Sequence, residues 1–425
     1  MVGFSRFLSN EKITHQSLIK SAINRSRELV TGRNVLVVND TTDFNFRDHC
    51  NYLSAFDEDL GPMSNEGDLG FYLHPGLVID VEQEIGLGFS YIKIWNRKQG
   101  NVRGRGNKSY KQLPLEEKET YRWVECGIES KKNLRSANHL TIIADRESDI
   151  YQEFALLPDD KTDLIIRSCQ NRCLHDSNTK LYETLSQADC CGEYGLKVRA
   201  NQNGKRQGRD AVMEVRFKRV RIVKPMSIKD NSMPDYIELF AIEAQEKTDQ
   251  IPVGEKPICW RLLTTFHISD LSQALQVIRS YAMRWQIELL FGTMKSKGLD
   301  MEASQLESGS SLKNLCVIAL QVSLKINQLT QGRDMQHPDS ARIIFTPTQI
   351  IVLKLLLTQF EGKTEKAKNL FTPGTLAWAA WIVARMGGWK GYSSEAKPGN
   401  KTMSIGLTRF EDAFIGWTLA QKICA

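Results

Sequence analysis

Two short apolar runs, VLVV at 35–38 and LTII at 140–143, each stop just before an aspartate, Asp40 and Asp145. Runs of this kind read as strands covered on both faces, and helical periodicity over 11–30 and roughly 116–133 supplies covering elements, so the chain reads as α/β. A carboxylate at the end of a buried strand is a common place for active-site chemistry. An Asx turn built by Asp40 or Asp43 accounts for the first of them equally well. The repeated context brings Asp40 and Asp145 together only if the two strands are neighbours in one sheet.

Between these strands, FYLHPGLVIDV and GLGFSYIKIWN at 71–96 read as a hairpin. The stretch 97–113 holds Arg97, Lys98, Arg103, Arg105, Lys108 and Lys111 among glycines, and suits either a phosphate-contacting loop or a merely solvated one. Helical character resumes at 149–157. From 160 to 265 the pattern changes to strands and polar turns carrying Lys205, Arg206, Arg209, Arg216, Lys218, Arg219, Arg221 and Lys224. Neither alternating face of VRFKRVRIV is cleanly apolar, which fits a strand facing a polyanion or an edge strand protected by charge.

Ser269 or Asp270 is placed to cap the next helix. Read as one helix, residues 281–295 set Tyr281, Arg284, Glu288 and Lys295 within about 60° of one another, a polar edge beside apolar neighbours. Surface ion pairing alone would produce such an edge. Were Glu288 to join Asp40 and Asp145, three carboxylates would offer oxygen ligands to two Mg²⁺ ions about 4 Å apart, the arrangement used in phosphodiester chemistry. An unrelated α/β hydrolase or transferase, or a noncatalytic binding protein, fits the residues as well at this stage. A further helix covers 310–330, and from 343 the chain is helical with Trp378, Trp381, Trp389 and Trp417, either a simple subdomain or an oligomerisation surface.

A balance of 56 basic against 50 acidic residues permits a nucleic-acid partner without demanding one. Nine cysteines from Cys50 to Cys424 follow no repeating pattern, against a secreted disulfide scaffold. Cys169, Cys173, Cys190 and Cys191 match zinc-knuckle spacings poorly. No run of 18 apolar residues occurs and the N-terminus lacks a signal-peptide core, so the expectation is a cytoplasmic protein without membrane association.

The motifs together resemble those of DDE transposases of the bacterial IS4 family, in particular its Tn5 (IS50)-like branch. NDTTDFNF is similar to the segment holding the first catalytic aspartate, here Asp40, and ADRESDIY to the second, here Asp145, with Ser148 where the family usually has alanine. Tyr281, Arg284, Glu288 and Lys295 match the family's Tyr-x2-Arg-x3-Glu-x6-Lys signature, and GLDMEASQLES and the C-terminal WIVARMGGW and GLTRFEDAFIGW extend the likeness.

The resemblance implies a ribonuclease-H-like catalytic core with a β-rich insertion and a helical C-terminal region. The segmentation expected is 1–30 a residual N-terminal helical segment, 31–159 the first part of the core, 160–265 the insertion, 266–335 the completion of the core, and 336–425 a helical dimerisation domain. It implies Asp40, Asp145 and Glu288 as catalytic ligands of two Mg²⁺, with Mn²⁺ substituting. Tyr281, Arg284 and Lys295 would hold DNA phosphates, Trp260 would stack on a flipped base, and Arg167, Arg146, Lys205 and Arg206 are further basic candidates for DNA contact. The partners implied are transposon-end double-stranded DNA, target DNA and a second copy in a synaptic homodimer, in a nucleoid-associated setting.

The reaction implied is nicking at the element's end, hairpin formation by the freed 3′-hydroxyl, hairpin opening, and strand transfer into target DNA. Two departures qualify this. Only ten residues precede Glu11, where the family has an end-recognition domain, so a truncated noncatalytic form acting as inhibitor or an inactive relic is an alternative, as is a nuclease without strand transfer. Gly292 stands where relatives often carry a polar or basic residue.

Overall fold

Both apolar runs form strands in the computed structural model, which describes residues 2–423 apart from 48–52, 54–56, 64–67, 99–112, 176, 201–205, 249–250, 297, 336–338, 366–367 and 393–394. Helices α1 (Val2–Leu8) and α2 (His15–Leu29) precede strands β1 (Asn34–Asn39), β2 (Thr42–Asn45), β3 (Gly61–Pro62), β4 (Leu69–Asp80) and β5 (Gly86–Trp95). Next come α3 (Tyr121–Asn133), β6 (His139–Ala144), α4 (Tyr151–Leu156), β7 (Thr162–Arg167) and α5 (Leu181–Ser186). Strands β8 (Gly192–Val198), β9 (Arg209–Val223), β10 (Tyr236–Glu246) and β11 (Cys259–Thr264) follow. The remainder is helical: α6 (Leu271–Ala282), α7 (Trp285–Lys295), α8 (Gly309–Gly332), α9 (Pro347–Phe360), α10 (Leu376–Met386) and α11 (Asn400–Ile423).

The chain divides into a strand-rich unit, Gly32–Asp40 with Ser109–Arg284, and a helix-rich unit, Met1–Thr31 with Thr41–Lys108 and Trp285–Ala425. In the strand-rich unit the sheet order is β1-β6-β7-β11-β10-β9-β8. The first three strands are parallel, and every later pairing is antiparallel. Val35, Leu36, Val37 and Val38 are at most 1% exposed, as expected of a doubly covered strand. Helix α3 contributes buried Trp123, Val124 and Cys126, and Gly127 allows a close approach: a Cβ there would lie 2.3 Å from Leu157 Cδ1.

In the helix-rich unit β4 and β5 form the expected hairpin, with β2 and β3 also antiparallel to β4. Helix α2 reaches β5 through Ser26, whose Oγ accepts the Phe89 N–H at 2.7 Å. Every residue of α10 except Arg385 is buried. Helix α11 crosses it closely at Gly406, where a Cβ would fall 1.9 Å from Val383 O. Trp378 and Trp381 are therefore core residues, while Trp389 and Trp417 are half-buried. Among the described residues no helix is long and apolar enough to cross a membrane. A mixed α/β fold with a helical C-terminal region thus stands, consistent with a ribonuclease-H-like core.

Two local expectations are corrected. Residues 281–295 are not one helix: α6 closes at Ala282, and Met283 and Arg284 bond to the carbonyls of Ser280 and Tyr281 in a tight turn before α7 begins. No glycine or proline marks this break, so periodicity runs straight through it. Strand β9 does have an apolar face, but it changes sides: Ala211, Met213 and Val215 are buried at one end, Val220 and Ile222 at the other. Most cations along and just after the strand are also paired, Arg209 with Glu246 and Glu255, Arg216 with Glu214, Arg219 and Arg221 with Glu238, and Lys224 with Asp235. Smaller shifts concern helix starts: Thr14 caps α2 and shortens the expected 11–30, and α3 begins at Tyr121, after a single 3₁₀ turn at Leu115–Glu117.

Candidate active site

Parallel pairing fixes the relation between the two strand-terminal aspartates. The register runs from Asn34 opposite His139 to Val38 opposite Ile143, and Asp40 and Asp145 each lie two residues beyond that last pair, just past the ends of their strands. Neighbouring strands lie about 4.8 Å apart, so the two acids leave the carboxyl edge of the sheet side by side. Each is half-buried.

Both carboxylates are held by side chains from the α6–α7 turn region. Arg284 Nη1 donates to Asp40 Oδ2 at 2.8 Å, and the Tyr281 hydroxyl donates to Asp145 Oδ1 at 3.3 Å. The break after Ala282 makes this arrangement possible, since Tyr281 ends one helix while Arg284 lies in the turn. Asp270 caps α6 by accepting from the Gln273 N–H at 2.9 Å, which settles the choice with Ser269. Burial first, and then the Asp145 charge, push the Tyr281 phenol up to about 12, with Arg284 and Arg167 acting the other way. Tyr281 therefore stays a hydrogen-bond donor throughout the neutral range.

Trp260 meets Tyr281 edge to face, ring centroids 6.0 Å apart. Arg167 lies opposite Leu262 in the β7–β11 pairing and reaches the Cys259 carbonyl at 3.5 Å. Arg146, the residue after Asp145, is exposed on a single 3₁₀ turn. Arg206 is exposed, whereas Lys205, Arg103, Arg105, Lys108 and Lys111 lie outside the described residues.

In the helix-rich unit, Glu288 is half-buried in the first turn of α7. Lys295, seven residues on, reaches Asp43 Oδ1 at 3.2 Å and Glu302 Oε1 at 3.7 Å. Glu302 also accepts the Asn45 N–H at 2.9 Å, so the GLDMEASQLES segment is tied to β2. Asp43 thus pairs with a lysine of its own unit, whereas Asp40 pairs with Arg284.

Sequence reading missed a buried polar network just beyond Asp145. Asp149 accepts from Arg172 Nε at 3.0 Å and Nη2 at 2.6 Å, and from the N–H groups of Cys169 and Gln170 at 2.9 and 3.1 Å. Asp149 sits inside the quoted motif, but nothing in the sequence around Arg172 signals the partnership. Ser148 Oγ donates to Glu153 Oε2 at 2.5 Å, so the serine that replaces the usual alanine has a partner.

Burial pushes the Glu153 carboxyl up to about 8 from 4.5, with the Asp149 charge adding to the rise and the Ser148 bond opposing it. The folded state then keeps a proton that the unfolded chain has released, so stability falls as pH rises between these values and levels off above the folded one. The slope expected is about 1.4 kcal/mol per pH unit. Urea titrations at pH 5 and pH 8.5 should show it, and Glu153→Gln should flatten it. Equal slopes in both proteins would refute the assignment to Glu153.

The donor chemistry at the sheet edge suits a hard divalent cation, because Asp40 and Asp145 present only carboxylate oxygens. Among the described residues no group of three or more His, Cys, Asp and Glu side chains is gathered to hold a metal. Cys169, Cys173, Cys190 and Cys191 are exposed free thiols.

The sheet edge thus carries two neighbouring carboxylates, one held by an arginine and the other by a tyrosine. Residues 125–323 match the family model described as Transposase DDE domain. The protein carries a DDE-transposase domain over that stretch, which takes in Asp145, Trp260, Tyr281, Arg284, Glu288 and Lys295, while Asp40 precedes it.

Proposed function

We propose that this protein is a DDE transposase of the IS4 family, Tn5-like branch, which cleaves DNA at the ends of an insertion sequence and joins the freed 3′-ends to target DNA. The observation that carries the reading is that Asp40 and Asp145 directly follow the ends of adjacent parallel strands, Asp145 inside the matched domain and Asp40 ahead of it. In this reading Asp40, Asp145 and Glu288 hold two Mg²⁺, or Mn²⁺ in their place. Bound there, the metal supplies Lewis-acid activation of the attacking water or 3′-hydroxyl and stabilises the leaving oxygen.

The chain's own side chains then have separate tasks. Tyr281, kept as a neutral phenol, orients Asp145 through its hydrogen bond. Arg284 neutralises Asp40 in the metal-free protein and turns to a DNA phosphate when DNA arrives, a transfer between two oxyanions suited to a guanidinium. Lys295 sits among Asp43 and Glu302 with the same option. Trp260, edge-on to Tyr281, offers an indole face to an unstacked base near the cut. Arg167, Arg146, Lys205 and Arg206 add positive charge for the DNA backbone.

The remaining parts of the reading are the segmentation into a core of 31–159 and 266–335, an insertion of 160–265 and a dimerisation domain of 336–425, a hairpin intermediate, a homodimer on two ends, and a cytoplasmic, nucleoid-associated setting. The test is incubation of the protein with DNA carrying the element's own ends and a target plasmid, with Mg²⁺ or Mn²⁺. Nicked ends, hairpins and joined products are expected. Stable binding of those ends without any cleavage in either metal would overturn the proposal.

A further inference from the structure

The paired cations of β9 leave an opening in the sheet. Strand β8 pairs with β9 only as far as Val215, opposite Gly192. Beyond it, residues 173–175 take over the same edge at 221–223, through the His175 N–H to Arg221 O at 2.8 Å and the Val223 N–H to Cys173 O at 3.2 Å. Backbone groups alternate between the two edges of a strand. Those of Val215, Arg221 and Val223 point to this edge, so the N–H groups of Phe217 and Arg219 point into the gap between the two partners. None of the described residues closes that gap. An unclosed sheet edge of this kind presents ready-made donors.

A cavity of about 490 Å³ occupies the opening, lined by Lys218, Arg219, Arg221 and the hydroxyls of Ser177, Thr179 and Thr184. Among the described residues three cations face it against one carboxylate, Glu238, which Arg219 and Arg221 share. Lys218 is exposed and has no ion-pair partner among the described residues. At the end of the opening where residues 173–175 meet the strand, Tyr236 is 39% exposed, with the His175 ring 4.6 Å from its own and the Arg221 guanidinium 5.4 Å from its centroid.

We infer that this cavity binds a phosphodiester of the DNA backbone, with Lys218 as its principal charge, at a site separate from Asp40 and Asp145. Cationic side chains, hydroxyls and unpaired backbone N–H groups are the donors that fix phosphates in protein–DNA contacts. The neighbouring tyrosine favours a nucleic acid over free phosphate, since an adjacent base can stack on it. From the proposed function the inference takes only that the polyanion is DNA.

Fluorescence anisotropy with duplexes of unrelated sequence tests it, on the full chain and on Lys218→Glu and Lys218→Ala. Lys218→Glu should weaken binding on the order of tenfold whatever the sequence, and Lys218→Ala less, with the log–log salt slope falling by about 1 for the lost phosphate contact. Melting temperature should not change, because no described residue forms an ion pair with Lys218. Tyr236→Ala should weaken binding with an unchanged salt slope. Wild-type affinity and slope in both Lys218 variants would overturn the inference and leave the transposase reading intact. Loss of inorganic phosphate binding with DNA binding preserved would reassign the cavity to a small anion. A wild-type chain that binds no DNA would overturn both.

Discussion

Asp145→Asn should reduce metal-dependent DNA cleavage by about three orders of magnitude or more, roughly 4 kcal/mol of transition-state stabilisation. The substitution removes charge but little shape. The carboxamide oxygen can still accept from the Tyr281 hydroxyl, now 3.3 Å from Oδ1, so fold and DNA binding should persist. Asp40→Asn should be similarly inactive, although Arg284 would lose the charge it neutralises. Glu288→Ala should behave alike if it is the third ligand. Asp43→Asn is the informative control, because that acid is exposed and paired with Lys295. A loss of less than about tenfold is expected there, comparable to one exposed ion pair. Should Asp43→Asn be dead and Asp40→Asn active, the strand-end argument would have chosen the wrong residue of the NDTTD segment.

The choice of Asp40 over Asp43 comes from the family resemblance, since the strand pattern alone does not separate the two, and the reason is physical. Asp40 and Asp43 both follow the same strand, and what separates them is pairing: Asp40 directly follows β1, which pairs with β6, while Asp43 already belongs to β2 and pairs with β4. Non-local pairing leaves no trace in local periodicity. The strands themselves were legible, because doubly buried strands must be continuously apolar. The helix at 281–295 misled for the opposite reason: an amphipathic pattern persists across a turn that lacks glycine or proline, so Tyr281 and Arg284 looked like neighbours of Glu288 on one face. Their observed task, holding Asp145 and Asp40, depends on the break. The charges of β9 were visible too, but not their partners, since Glu238 and Glu246 come from the next strand and neutralise what looked like an open cationic face. What stays open there is a gap defined by where β8 stops, a property of the sheet.

Arg172→Ala should lower unfolding free energy by about 3–5 kcal/mol, the cost of leaving a buried charge without its partner. Asp149 is 3% exposed and Arg172 8% exposed. With the guanidinium gone, the carboxylate keeps the N–H groups of Cys169 and Gln170 but loses its cation. Arg172 also donates to the Asp149 main-chain carbonyl at 2.6 Å, so the same change leaves that acceptor with the longer bond from Gln170 Nε2 at 3.4 Å. Both losses fall four residues from Asp145, at the end of the 3₁₀ turn that leads away from it. Removing the pair as a unit should cost less than removing one member, because no unpaired charge remains. Arg172→Met with Asp149→Leu should therefore be more stable than Arg172→Ala, as read by urea unfolding. A loss below about 1 kcal/mol in Arg172→Ala would mean that water reaches Asp149, as at an exposed pair. If instead stability falls as expected and Asp145-dependent cleavage falls with it well below the unfolding transition, the buried pair is also what holds Asp145 beside Asp40.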